Sequence, residues 1–244
     1  MTQRPNGHGV AIAALTLAGL ISGLFSSCDF FPFFNEITSD VFMRDFLHDV
    51  FIGSCFGLAL SAGLIFWGLR SAWKVLALVV TSVAAWRISV LLTMQAWSMW
   101  HARNSSEDMH TPSAVYSTGG FAGAFLLFMA VFFLLFPREK LWRITSSALA
   151  WSLGGAVLAV AGWALGPPLG KPIWLTLNSI NLTDQHMDLS TAMVNEAPNY
   201  VSLFLVWQPG IAFLLGIALH CQNLRKKNAT ASLNVATVEF FRSL

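Results

Sequence analysis

One full charge, Arg87, stands at the middle of a long apolar run, residues 75–100 (VLALVVTSVAAWRISVLLTMQAWSMW). Its guanidinium is a planar fork that grips oxyanions at two points, which suits an anionic solute, a lipid phosphate or a quinone carbonyl. At mid-bilayer such a group costs at least about 2.5 kcal/mol to insert, so it has to face other helices, water or a ligand. On a helical wheel Leu91, Met94 and Ser98 share its stripe, Gln95 sits about 80° round, and Ser89 and Thr93 face away. Arg87, Gln95 and Ser98 are therefore the candidate ligand-binding residues. The alternative is a guanidinium satisfied by carbonyls and hydroxyls between helices. No acid is expected inside any span, so Asp45 and Asp49, at the outer end of the second span, are the nearest candidate ion partners.

A second chemistry lies in the acidic connections. His48, His101, His110 and His186 all stand near acids: Asp45, His48 and Asp49 fall within one helical turn, while 108–110 (DMH) and 186–188 (HMD) each place Met, His and Asp together. Imidazole, thioether and carboxylate are ligand groups, so His48, Asp49, His101, His110 and His186 are candidate metal ligands, with copper the metal that Met and His favour. No strict spacing such as HExxH accompanies them. A haem held between spans would need a His within a span, whereas His48, His101 and His110 sit at or beyond helix ends.

Enzyme signatures are missing: there is no GxSxG elbow, P-loop, dinucleotide glycine fingerprint or CxxC. The sequence identifies no cofactor and leans away from an enzyme. The three cysteines, Cys28, Cys55 and Cys221, are scattered; Cys28 and Cys55 both lie toward the outer side, but a buried free thiol suits Cys55 better than a disulfide. Asn104 and Asn181 open glycosylation triplets, which carry meaning only in a eukaryotic secretory pathway.

The elements that must position these residues are set by composition. Of 244 residues, 55% are hydrophobic and 11% charged, against about 25% charged in a soluble domain, and mean hydropathy is +0.62. This is an integral membrane composition, with no feature of a nucleic-acid partner. Six apolar stretches, 10–27, 50–69, 75–100, 118–136, 144–165 and 201–221, are each long enough to approach or cross a hydrocarbon core of about 30 Å. A basic start, the first apolar run and small residues before Cys28 also resemble a lipoprotein signal, but Phe25 stands where Leu is usual, so an uncleaved first span is expected. Residues 28–49 mix Phe30, Phe31, Phe33 and Phe34 with five acids, which suits a segment at the membrane interface. The connection 166–200 is too long for a plain turn and reads as a cap or functional loop.

Charge then sets an expected orientation. Arg4, Arg70, Lys74, Arg138, Lys140, Arg143, Arg225, Lys226, Lys227 and Arg242 share one side; only Arg44, Arg103 and Lys171 fall on the other, with ten of the twelve acids. The positive-inside rule places the first group in the cytoplasm. The expected fold is an all-α integral membrane protein: one domain, 1–244, a bundle of six transmembrane helices with both termini cytoplasmic, a longer outer loop between helices 5 and 6, and a basic tail, 222–244. The membrane is a bacterial inner membrane or a eukaryotic plasma or internal membrane.

Small residues recur at four-residue spacing: Gly19 and Gly23, Gly53 and Gly57, Gly119 and Gly123, with Gly154 and Gly155 in the fifth span. Such seams let helix backbones approach closely, either within the bundle or toward partner subunits or a second copy. Residues 53–74, 119–140 and, loosely, 209–227 share an outline, which either reflects three like hairpins or follows from the positive-inside rule alone. Sparse catalytic and conductive residues beside plentiful seams favour a non-catalytic subunit or assembly factor of a membrane complex. A small anion carrier or channel using Arg87 is the alternative, and an outer-face metal-binding protein the third.

Overall fold

The structure, a computed structural model, describes residues 7–28, 37, 38, 40–103, 112–179 and 191–242. Helices α1 (Gly7–Ser27), α2 (Val41–Leu64), α3 (Ala72–Arg103), α4 (Val115–Leu135) and α5 (Leu141–Ala164) are followed by a π-type turn (Gly166–Gly170), a short α6 (Lys171–Ser179) and a long α7 (Thr191–Arg242). No strand occurs among the described residues. Six segments are long and apolar enough to cross a membrane: Gly9–Ser27, Phe42–Trp67, Ala72–Trp100, Val115–Leu135, Leu141–Ala164 and Pro198–Arg225. Five lie close to the spans expected from sequence.

The second does not, and the difference matters. It starts at Phe42, not at residue 50, because Asp40 caps α2 by accepting the Met43 backbone N–H at 3.1 Å. That cap satisfies one of the orphan donors at a helix start and seeds the helix two turns early. Residues 42–49 are therefore part of the span, so Asp45 and Asp49 lie inside it, contrary to the expectation that no span carries an acid. The helix leaves through a tight turn, Ile65–Trp67, closed by Gly68 at φ +94°, whose N–H returns to the Ile65 carbonyl at 3.1 Å. An L side chain rarely adopts that conformation, and glycine does so freely.

The last span also differs. α7 runs unbroken through Pro198 and Pro209 and on to Arg242, so the expected tail continues the helix. Of the long connection, residues 180–190 lie outside the described residues. Its first part folds back on α7, with Gly166 against Asn199 and Gly170 against the Pro198 carbonyl.

The six long helices close into a ring. α1 packs on α2 and α7, α2 on α3, α3 on α4, α4 on α5, and α5 on α7. Glycines set each approach. Gly53 lies against Val83 and Gly57 against Val79, an antiparallel register; Gly119 and Gly123 meet Ser89; Gly120 and Gly155 face each other; Gly19 and Gly23 meet Gln208, Pro209 and Phe204 of α7. The seam residues Gly19, Gly23, Gly53, Gly57, Gly119 and Gly123 thus lie against neighbouring helices of the same chain. Large apolar side chains fill the interior, with Leu15, Leu60, Leu78, Phe128, Phe132 and Leu215 fully buried. Lys74 Nζ donates to the Leu134 carbonyl at 2.7 Å, tying the start of α3 to the end of α4, where a cation also suits the negative end of the helix dipole.

Candidate functional site: an ion pair within the membrane-spanning bundle

Three of the stripe positions on α2, residues 49, 53 and 57, are one helical turn apart, and so are 87, 83 and 79 on α3. The antiparallel glycine contacts therefore carry upward by one turn to bring Asp49 opposite Arg87. Asp49 Oδ2 accepts from Arg87 Nη1, and Asp49 Oδ1 accepts from Trp86 Nε1 at 2.8 Å. Both carboxylate oxygens are thereby engaged by α3. The Asp49 side chain is 9% exposed and that of Arg87 28%, so the carboxylate is the buried member and the guanidinium reaches toward the outer wall. There it lies 6.0 Å from the centre of the Phe42 ring, a separation at which the ring face attracts a cation.

The energetics follow from the surroundings. Two ions brought together out of water gain a strong attraction but lose hydration, so the pair itself adds little net stability. Removing one partner is different, because it leaves a lone charge in an apolar setting. Among the described residues the pair joins α2 and α3 in one register only. Trp86 extends the connection: its ring lies 5.3 Å from that of Phe204 on α7, while Phe56 of α2 meets Trp207 of α7 at 5.8 Å.

Inside this ring of aromatics is a crevice lined by Ile52, Phe56, Ser82, Trp86, Trp207 and Gln208, too narrow to seat a water molecule. Ser82 Oγ, Trp207 Nε1 and Gln208 Oε1 are buried there without a hydrogen-bond partner among the described residues. Gln208 Nε2 donates to Ser26 Oγ at 2.9 Å, which links α7 to α1. Buried polar groups left unpaired are uncommon and costly.

The other sequence candidates are placed differently. Gln95 and Ser98 are exposed on α3, and Ser98 Oγ donates to the Met94 carbonyl of its own helix at 2.9 Å; neither joins Arg87. His48 adjoins Asp49 on α2 and is half-buried, but the Asp49 carboxylate is taken up by Arg87 and Trp86. His101 lies in the last turn of α3, with its side chain outside what is described, and His110 and His186 lie outside the described residues. Among the described residues no three His, Cys, Asp or Glu side chains converge as metal ligands would. Cys28, Cys55 and Cys221 are free thiols; burial pushes the Cys28 thiol up, just past the end of α1.

Fold and site together define a multi-pass α-helical membrane protein with a part-buried charge pair between two of its spans. No known protein family, characterised protein or solved structure matches the chain.

Proposed function

We propose that the protein is a non-catalytic subunit or accessory factor of a larger membrane assembly. The observation that carries this reading is how its intramembrane charge is used: Arg87 is neutralised by Asp49, and the adjoining crevice closes on Phe56, Trp86 and Trp207. A guanidinium that reads a transported anion has to face a vestibule, whereas here the carboxylate already occupies it. On this reading the ion pair holds two spans in register, and the bulky outer wall, with Trp73, Leu76, Val80, Leu153 and Val157 exposed, meets lipid and neighbouring subunits. The termini and the basic turns face the cytoplasm, by the distribution of Lys and Arg.

The test is gentle detergent extraction from the native membrane through a tag on the C-terminus, with quantitative mass spectrometry of what co-purifies. Stoichiometric membrane partners are expected. A lone monomer or homo-oligomer at full yield contradicts the reading.

A second reading, a small anion carrier, draws support from one feature. The unpaired Ser82, Trp207 and Gln208 groups stand near Pro209 and Gly210 of α7, where an opened bundle would offer a polar path. It requires Arg87→Ala to abolish uptake by reconstituted vesicles while the protein still folds; unchanged uptake excludes it.

A further inference from the structure

The bundle carries a second polar feature, at its basic end. Between α5 and α7 a cleft of about 290 Å³ opens, lined by Ser146, Ser147 and Trp151 on one side and Cys221, Gln222 and Arg225 on the other. Its origin is local. Farther along the same interface Gly154 meets Leu214, Gly210 meets Leu158 and Gly162 meets Leu203, so the helices are tightly fitted there. Toward the basic end the facing positions carry small side chains, Ser147, Ala150 and Ala218, and nothing fills the space between them.

The depth of the cleft is fixed by the spans. Arg225 is the final residue of the segment Pro198–Arg225, and Ser146 and Ser147 fall within the second turn of Leu141–Ala164. The mouth is therefore at headgroup level and the floor, at Trp151 and Ala218, is in the acyl region. The contacts pair Leu158 with Gly210, and Gly154 with Leu214; Gln222 Nε2 donates to Ser147 Oγ at 3.2 Å. That antiparallel register sets position 143 level with Arg225, whose guanidinium lines the mouth, while the Arg143 guanidinium lies over the Trp142 ring at 5.5 Å. Arg225 is exposed and makes no ion pair with another described residue, whereas Arg143 lies 4.0 Å from Glu139.

We propose that this cleft binds the phosphate of an anionic glycerophospholipid, with Arg225 as the two-point donor, the Ser147 hydroxyl and the Gln222 amide as further donors, and an acyl chain lying over Trp151. A fork-shaped guanidinium matches phosphate oxygens, and basic clefts between spans are suited to anionic headgroups. Its half-polar, half-apolar lining fits an amphiphile better than a free ion.

The test compares full-length protein in nanodiscs of phosphatidylcholine with increasing phosphatidylglycerol, reading retained lipid by native mass spectrometry and unfolding temperature in parallel. Selective retention of phosphatidylglycerol is expected, weakened about tenfold by Arg225→Gln and blocked by Ala150→Trp, which fills the cleft from an exposed position. Both variants should unfold like the parent in phosphatidylcholine alone, which separates lost binding from lost folding. Equal retention of the two lipids, or unchanged retention in both variants, overturns the proposal. Inorganic phosphate stabilising the detergent-solubilised protein as strongly as short-chain phosphatidylglycerol at equal concentration also overturns it, in favour of a soluble anion.

Discussion

The α2–α3 and α4–α5 interfaces solve one problem in two ways. Both bring backbones together on glycine: Gly53 and Gly57 against Val83 and Val79 in the first, Gly120 against Gly155 in the second. At α4–α5 the contact continues with Ala124 and Ala159 and is flanked by ring pairs, Tyr116 on Trp163 and Phe128 on Trp151, with no ion pair across it among the described residues. At α2–α3 it is capped one turn on by Asp49 and Arg87, with Trp86 on the second carboxylate oxygen. Small residues settle how closely two helices approach but are tolerant of sliding; a charge pair adds little net attraction yet is satisfied in one register only. The difference teaches that Arg87 serves position where a glycine seam serves proximity.

Adding bulk to the α4–α5 glycine seam should have the largest effect. At Gly120 even a Cβ would come within 2.7 Å of the Gly155 carbonyl oxygen, and backbone cannot yield as a side chain does. Gly120→Leu should cost at least about 3 kcal/mol, read as loss of the monodisperse peak on fluorescence-detected size exclusion. Asp49→Asn comes next, leaving Arg87 without its counter-ion at a cost of about 3 kcal/mol, measured by unfolding in mixed detergent and SDS micelles. Trp86→Phe keeps the ring beside Phe204 but removes one donor to the carboxylate, and about 1.5 kcal/mol should be lost in the same assay. Gln208→Leu should change least, by about 0.6 kcal/mol or less, since one of its amide atoms is already unpaired and only the bond to Ser26 is given up.

Hydropathy made five of the six spans legible, because a run of apolar residues of that length has few other stable settings. Residues 42–49 were obscured by their own charges: a segment with Asp45, His48 and Asp49 scores as wet unless the Asp49 charge has a partner, and that partner lies 38 positions away. Arg87 was legible as an expensive group in need of a counter-charge, with Asp49 one of two candidates. A signal to choose between them was present, since Asp49, Gly53 and Gly57 continue one stripe and Asp45 is a further turn out. The wheel around Arg87 suggested Gln95 and Ser98 as companions, but a wheel reports only one helix, and the residues that meet Arg87 come from α2. The cleft at Arg225 had no comparable sequence signal, because it depends on small side chains of two helices facing each other.

The most direct test is a double-mutant cycle of Asp49→Asn and Arg87→Met, with stability read by SDS-induced unfolding of the purified protein. If the pair fixes the register of α2 on α3, the double variant is more stable than Asp49→Asn alone and the coupling energy is about 2 kcal/mol. Two single losses that simply add would contradict it and leave Arg87 free for another role.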